Sequence, residues 1–381
     1  MGRLVVFLAA MIGTGLAMPD RAGAASYQQV YAFRGGAGGA QPVGRLTVLG
    51  GFLYGATYAG GGTCRCGTVY RLTAGGVHRP IYDFAGGAGD GAHPEAGVVA
   101  LNGTLYGTTL LGGANTCSNI VHGCGTVYRL TPAGAETVLH TFVQGSGHVA
   151  RGYQPAGDLL VEGKSVWGVA SFLDGVFQTR TSGLTRSFAP VALRYGDSGG
   201  LVDVGGVFYG VAFEGAHSCG IDVSGGSVYA ITQSGVGSTV HAFQCGADGK
   251  QPTGTLLYAN GLLYGTTDST IFSITTSGVE TVLYHFAGGD DATGSGFGFT
   301  ALNGVFYGVS GAGGGTGCGG QGCGTIYSVT PDGVETELYR FQGGADGEGP
   351  DGRLLAWQGA LYGVTSAGGS AGAGTVFRFT P

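Results

Sequence analysis

The sequence is poor in charge. Of its 381 residues only 10% are Asp, Glu, Lys or Arg, and the formal net charge is -6. Nucleic-acid binding calls for a clustered basic surface, which 17 Lys and Arg scattered along the chain do not supply, so nucleic acid is excluded as a partner. Long apolar runs are also missing. After the first 20 residues none is long enough to cross a bilayer as a helix, and the mature chain is expected to have no membrane span. Two further absences bear on chemistry. No Cys-x2-Cys pair stands beside another, as a thiolate zinc site requires, and no metal site is expected. No nucleophile motif or paired-carboxylate spacing argues for a particular reaction.

What the chain has in excess is glycine, at 84 positions. Aromatic and β-branched residues are too frequent for this to signal disorder. The N-terminus reads as a processing signal: Arg3, then the apolar run LVVFLAAMIGTGLAM, then the small-residue stretch RAGAA. Residues 1–25 are therefore expected to be a signal peptide and 26–381 a single repeat domain, secreted or periplasmic. Eight cysteines fit an oxidising destination.

The segment LYGTT at 105–109 returns in variant form along the whole chain. Its aromatic residue stands at Tyr54, Tyr106, Trp167, Tyr209, Tyr264, Tyr307 and Tyr362, at spacings of 42 to 61 residues. Around the second copy lie four short β-like runs, 97–101, 104–109, 125–131 and 136–142. Tight turns join the first pair and the last pair; long glycine-rich connectors join the second run to the third and the fourth to the next unit. A four-stranded unit of this length is the signature of a propeller blade. The chain opens on a lone fourth-type strand, 27–33, and closes on a third-type strand, 374–380. The expected fold is all-β, a seven-bladed β-propeller of four-stranded blades in which the N-terminal strand completes the last blade. The mid-strand glycine of the LYG motif is expected to reflect crowding near the propeller axis, where a side chain would hold blades apart.

The units YGTT…GCGTVYRLTPAGAETVLHTF and YGVSGAGGGTGCGGQGCGTIYSVTPDGVETELYRF resemble the GloVer tandem repeat of exported bacterial proteins. The resemblance covers nearly all of the chain after the leader, and departs most over 155–190. It implies export and a repetitive β-fold, and carries no general activity.

Both long connectors of each unit are expected on one face. Disulfides are expected there between Cys64 and Cys66, Cys117 and Cys124, and Cys318 and Cys323, leaving Cys219 and Cys245 to join neighbouring loops. Asp90, Asp248 and Asp346 recur in an Asp-Gly connector motif and read as side-chain caps, with calcium the alternative and otherwise no cofactor. His140, His241 and His285 recur near the phenylalanine that ends the fourth strand and read as structural. Residues that break the repeat are more informative. His93 and His122 are two such, and a binding site is expected at His148, Arg151, Tyr153, Arg194, Tyr195 and Asp197, connectors flanking the most degenerate blade. Its two arginines would hold an anionic group such as a uronate. Failing that, the mouth of the central channel is the next place to look. Each of these residues also has the plain reading of an idle loop position.

The expected function is a monomeric binding or scaffold module for an extracellular glycan or surface protein. The rival is a polysaccharide-acting lyase or hydrolase on the loop-rich face.

Overall fold

The computed structural model describes residues 25–114, 123–143, 153–172, 175–188, 199–214, 218–220, 223–294 and 296–381. Its strands form seven four-stranded antiparallel sheets, the blades of a β-propeller. Blade 1 runs Ala40–Leu49, Phe52–Ala59, Thr68–Leu72 and His78–Asp83, in that spatial order. In blade 7 the strands Glu348–Trp357, Ala360–Ala367 and Thr375–Thr380 are followed in space by Ser26–Ala32, so the N-terminal strand closes the ring as expected. The strap pairs from Ser26 with Thr380 to Ala32 with Thr375. Its Tyr27 stacks on Tyr339 of blade 6 with centroids 4.3 Å apart, and the Tyr27 hydroxyl donates to the Asp346 carbonyl at 2.6 Å.

No single core lies under these sheets. Seven apolar clusters do, one at each junction of neighbouring blades. Each blade is thus buried on both faces, which is why its strands lack strict alternation. The seven turns between first and second strands are all two residues long. Six of them, such as Asn102-Gly103 and Gln358-Gly359, hold both residues at positive φ, the hairpin geometry that matches strand twist.

The repeated letters now acquire physical causes. Gly107 of LYGTT pairs directly with Tyr128 of GTVYRL, and a Cβ on it would fall 2.3 Å from the Tyr128 hydroxyl and 2.5 Å from Cζ. The same pairing joins Gly55 to Tyr70, Gly168 to Phe177, Gly265 to Phe272 and Gly363 to Phe377. A ring from the third strand lies over each glycine. This corrects the expected cause: the second strand is not the crowded one at the axis, and its glycine makes room inside its own blade. The two threonines of the motifs also meet across strands, Thr109 Oγ1 lying 2.8 Å from Thr126 Oγ1 and Thr57 Oγ1 2.9 Å from Thr68 Oγ1.

Crowding at the axis belongs to the first strands instead. A Cβ on Gly44 would meet the Gly97 nitrogen at 2.1 Å, one on Gly199 the Gly254 carbonyl oxygen at 2.1 Å, and one on Gly352 the Gly44 carbonyl carbon at 2.3 Å. Backbones of successive blades touch there. Both long connectors do share one face: Gly91 and Ala92, between blades 1 and 2, pair with Gly112 and Leu111 of the second-to-third connector in blade 2.

Candidate functional site

Of the six residues expected to form a rim site, His148, Arg151, Arg194, Tyr195 and Asp197 lie outside the described residues, as does His122. Tyr153 begins the first strand of blade 3, Tyr153–Glu162. The expected notch there, at 171–175, reduces to two residues between strands, and these too lie outside the described set. A short second-to-third connector is not peculiar to blade 3, since only Thr267, Asp268 and Ser269 separate the corresponding strands of blade 5.

Three of the four expected disulfides are present among the described residues. Cys64 joins Cys66, Cys219 joins Cys245 and Cys318 joins Cys323. Cys124 is disulfide-bonded, while Cys117 lies outside the described residues. Asp90, Asp248 and Asp346 act as caps. The Asp90 carboxylate accepts the Ala85 amide at 2.7 Å, Asp248 the Gln244 amide at 2.7 Å, and Asp346 the Gln342 amide at 2.8 Å. Asp346 also accepts the Tyr339 hydroxyl at 2.6 Å. His140 and His241 stand edge-on to Phe142 and Phe243, with Tyr284 rather than His285 holding the equivalent place against Phe286. Among the described residues no group of three His, Cys, Asp or Glu side chains is placed to hold a metal ion.

His93 stands on the loop-rich face at φ 55°, its Nδ1 3.0 Å from the Tyr58 carbonyl oxygen and its ring 4.7 Å from the Tyr58 ring. With Cys64, Cys66 and Gly86 it borders a small pocket of 180 Å³. A larger cavity of 320 Å³ lies beside it, on the propeller axis. First strands build this cavity, and charged residues from four blades enter it or stand next to it.

Register explains which residues arrive there. Five residues before each first-to-second turn stand Arg45, Gly97, Asp158, Gly200, Thr255, Gly298 and Arg353. Two residues earlier stand Val43, Glu95, Ala156, Thr253, Gly296 and Asp351. In blades 1, 3, 5 and 7 the two registers are separated by a glycine at positive φ, Gly44, Gly157, Gly254 or Gly352, where the strand bulges, and they form two successive layers along the axis. One layer holds both arginines and Asp158; the other, nearer the loop-rich face, holds Glu95 and Asp351. Among the described residues, blades 7, 1, 2 and 3 supply all the charge in these layers, while blades 4, 5 and 6 offer Gly200, Thr255 and Gly298 to the lower layer. Asp158, Arg353, Glu95 and Asp351 line the cavity, with Tyr58 and Phe297 giving it aromatic surface.

The electrostatics of the two layers differ. Arg353 Nε lies 3.7 Å from Asp158 Oδ2. Arg45 has no carboxylate within ion-pair distance among the described residues. Burial, then the like charge of Arg353, holds its guanidinium below the ordinary value, and Asp158 offsets this only in part. The Nε atoms of Arg45 and Arg353 are both buried without a hydrogen-bond partner. Two guanidinium groups thus share one carboxylate. In the upper layer burial pushes the Asp351 carboxyl up to about 6, against the pull of the Gly44 amide, which donates to Asp351 Oδ1 at 3.0 Å. Desolvation, then the Asp351 charge, raises Glu95 as well. Glu95 is nonetheless exposed within the cavity and free to meet a ligand.

The sequence pointed to the channel mouth only as a second place to look and named none of these residues, although their signal was present. Counting back from each turn finds three charged residues at one register where four blades have Gly or Thr. That count requires knowing that first strands face the axis.

In fold the chain is similar to virginiamycin B lyase from Staphylococcus aureus, at 13% identity and a TM-score of 0.64, over 94% of this chain and 99% of that one. It is similar to a streptogramin B lyase at 13% identity and a TM-score of 0.61, over 93% and 97% of the two chains. A puromycin-hydrolyzing peptidase from Mycobacterium tuberculosis shares the fold over 86% of this chain and 50% of its own, at 14% identity and a TM-score of 0.53. At such identities the likeness is one of fold alone. No curated protein matches the chain in sequence. Residues 13–182 do match the sequence model of one family, described as the Gloeobacter/Verrucomicrobia repeat.

Proposed function

We infer that the protein is an exported binding propeller that takes a small polar ligand, a glycan or part of a surface partner, in its axial cavity. One observation carries this reading. In a chain with 10% charged residues, five charged side chains that break the repeat converge on the axis: Arg45, Glu95, Asp158, Asp351 and Arg353. Residues shared by all blades serve the scaffold, so specificity belongs to departures from it. Disulfides on the loop-rich face support export, since such bonds persist in oxidising compartments.

A second reading, an enzyme acting on polysaccharides, draws on Asp351. A carboxyl at about 6 beside the raised Glu95 is the pattern that acid–base catalysis employs. Two of the proteins with similar folds are lyases. Incubating the protein with immobilised and soluble uronate polymers separates the readings. A binder retains the polymer unchanged; a lyase releases unsaturated product that absorbs in the ultraviolet. A glycan array that shows no retention, together with no product, would contradict both.

A further inference from the structure

The cavity has a chemical grain along the axis, and the ligand class follows from it; this step rests on the axial cavity being the binding site. Its lower layer carries two guanidinium groups and one carboxylate; the Nε of each arginine is buried without a hydrogen bond, that of Arg353 standing 3.7 Å from Asp158 Oδ2. That layer holds one anion for two cations. A guanidinium fork is matched in shape by a carboxylate, which accepts two parallel hydrogen bonds. The upper layer is the reverse, carrying Glu95 and Asp351, groups that accept hydrogen bonds from hydroxyls. Phe297 and Tyr58 are the aromatic residues among those that line the cavity. At 320 Å³ the space lies at the small end of ligand pockets, which run about 300–1,000 Å³. It suits one or two sugar units, not a threaded chain.

We propose that the axial cavity binds a single hexuronate-type sugar acid. The ligand's carboxylate lies on Arg353 with Arg45 behind it, its ring lies against Phe297 and Tyr58, and its hydroxyls donate to Glu95 and Asp351. Both layers are used by one molecule that is anionic at one end and rich in hydroxyls at the other. A neutral hexose leaves the arginine layer without its anion. A short carboxylate such as acetate leaves the upper layer unmet.

Calorimetric titration with galacturonate, galactose and acetate tests this. Galacturonate is expected to bind with one-to-one stoichiometry, and galactose and acetate at least tenfold more weakly. The double variant Arg353→Gln/Asp158→Asn removes both partners of the ion pair together, so neither is left as an unpaired charge. It is expected to melt near the parent temperature and to lose at least tenfold in galacturonate affinity. Arg45→Gln, which leaves the Arg353–Asp158 ion pair in place, provides an independent second variant with a loss of the same direction. Equal affinity for galactose and galacturonate would overturn the ligand class while leaving a binding propeller in place, as would equal affinity for acetate. Retention of a uronate polymer without galacturonate binding would move the ligand off the axis. With no retention of any glycan, the binding reading falls too.

Discussion

A glycine opposite an aromatic ring is the smallest unit of this architecture. Gly107 has no Cβ because the Tyr128 ring already occupies that space. Gly107→Ala is expected to lower stability by about 1–3 kcal/mol, the usual cost of overpacking a filled core. The loss should shrink in a Tyr128→Leu background, where no ring stands above the new methyl. Equal losses by thermal unfolding in both backgrounds would show that the ring is not the cause. Titration supplies a second test at this scale. Burial, then Asp90 for Glu136 and Asp291 for Glu335, pushes both carboxyls up to about 7 from an ordinary 4.5. Their folded-state affinity for protons exceeds that of the unfolded chain, so the stability they lend is full below about 4.5 and is lost as pH rises through about 7. Glu136→Gln/Glu335→Gln should therefore raise the melting temperature at pH 8 by roughly 1–3 °C and change it little at pH 4. An equal change at both pH values would refute the assignment. The motif letters LYG and GTVY were plain in the sequence, but the partner of the glycine was not. Only register places Tyr128 over Gly107 instead of one residue away, where its ring would face the other side of the sheet.

Elements were legible for a different reason. Each blade repeats its turn chemistry, so turns such as Asn102-Gly103 and Asn260-Gly261 mark strand ends within a residue or two of where they lie. The unpaired fourth-type strand at the N-terminus and the missing one at the C-terminus together dictate the closing strap. Deleting residues 26–32 removes the strands' pairing from Ser26 to Ala32 and the stacking of Tyr27 on Tyr339, and opens two sheet edges. Stability should fall by several kcal/mol and aggregation should rise. A truncated chain melting within about a degree of the parent would contradict this. The connectors were less legible, because their lengths vary while their hydrogen bonds run to backbone groups of other connectors. Cys219 and Cys245 close a stretch of 26 residues across two such connectors. Replacing both with serine is expected to cost about 3 kcal/mol by chain entropy, and denaturant unfolding would register it as a shift in midpoint. An unchanged midpoint would mean that the connectors are held by other contacts.

At the scale of the whole molecule the propeller brings together residues 195 to 307 positions apart, and the proposed function depends on that convergence. Asp351 receives the Gly44 amide, and Arg353 meets Asp158, across an axis that no local pattern announces. The rule that departures from the repeat mark the site is legible in sequence, but the place to apply it is not. In the connectors departures are cheap, since loops tolerate change. In the first strands they are costly, because charges there are half-buried among the backbones of neighbouring blades. The axial charges therefore weigh more than rim residues of the same types. Retention of a uronate ligand by two variants tests this most directly. With the site on the axis, Arg353→Gln/Asp158→Asn loses the ligand while Arg151→Ala/Arg194→Ala keeps it, both folded. Loss in the rim variant with retention in the axial one would contradict a site on the axis.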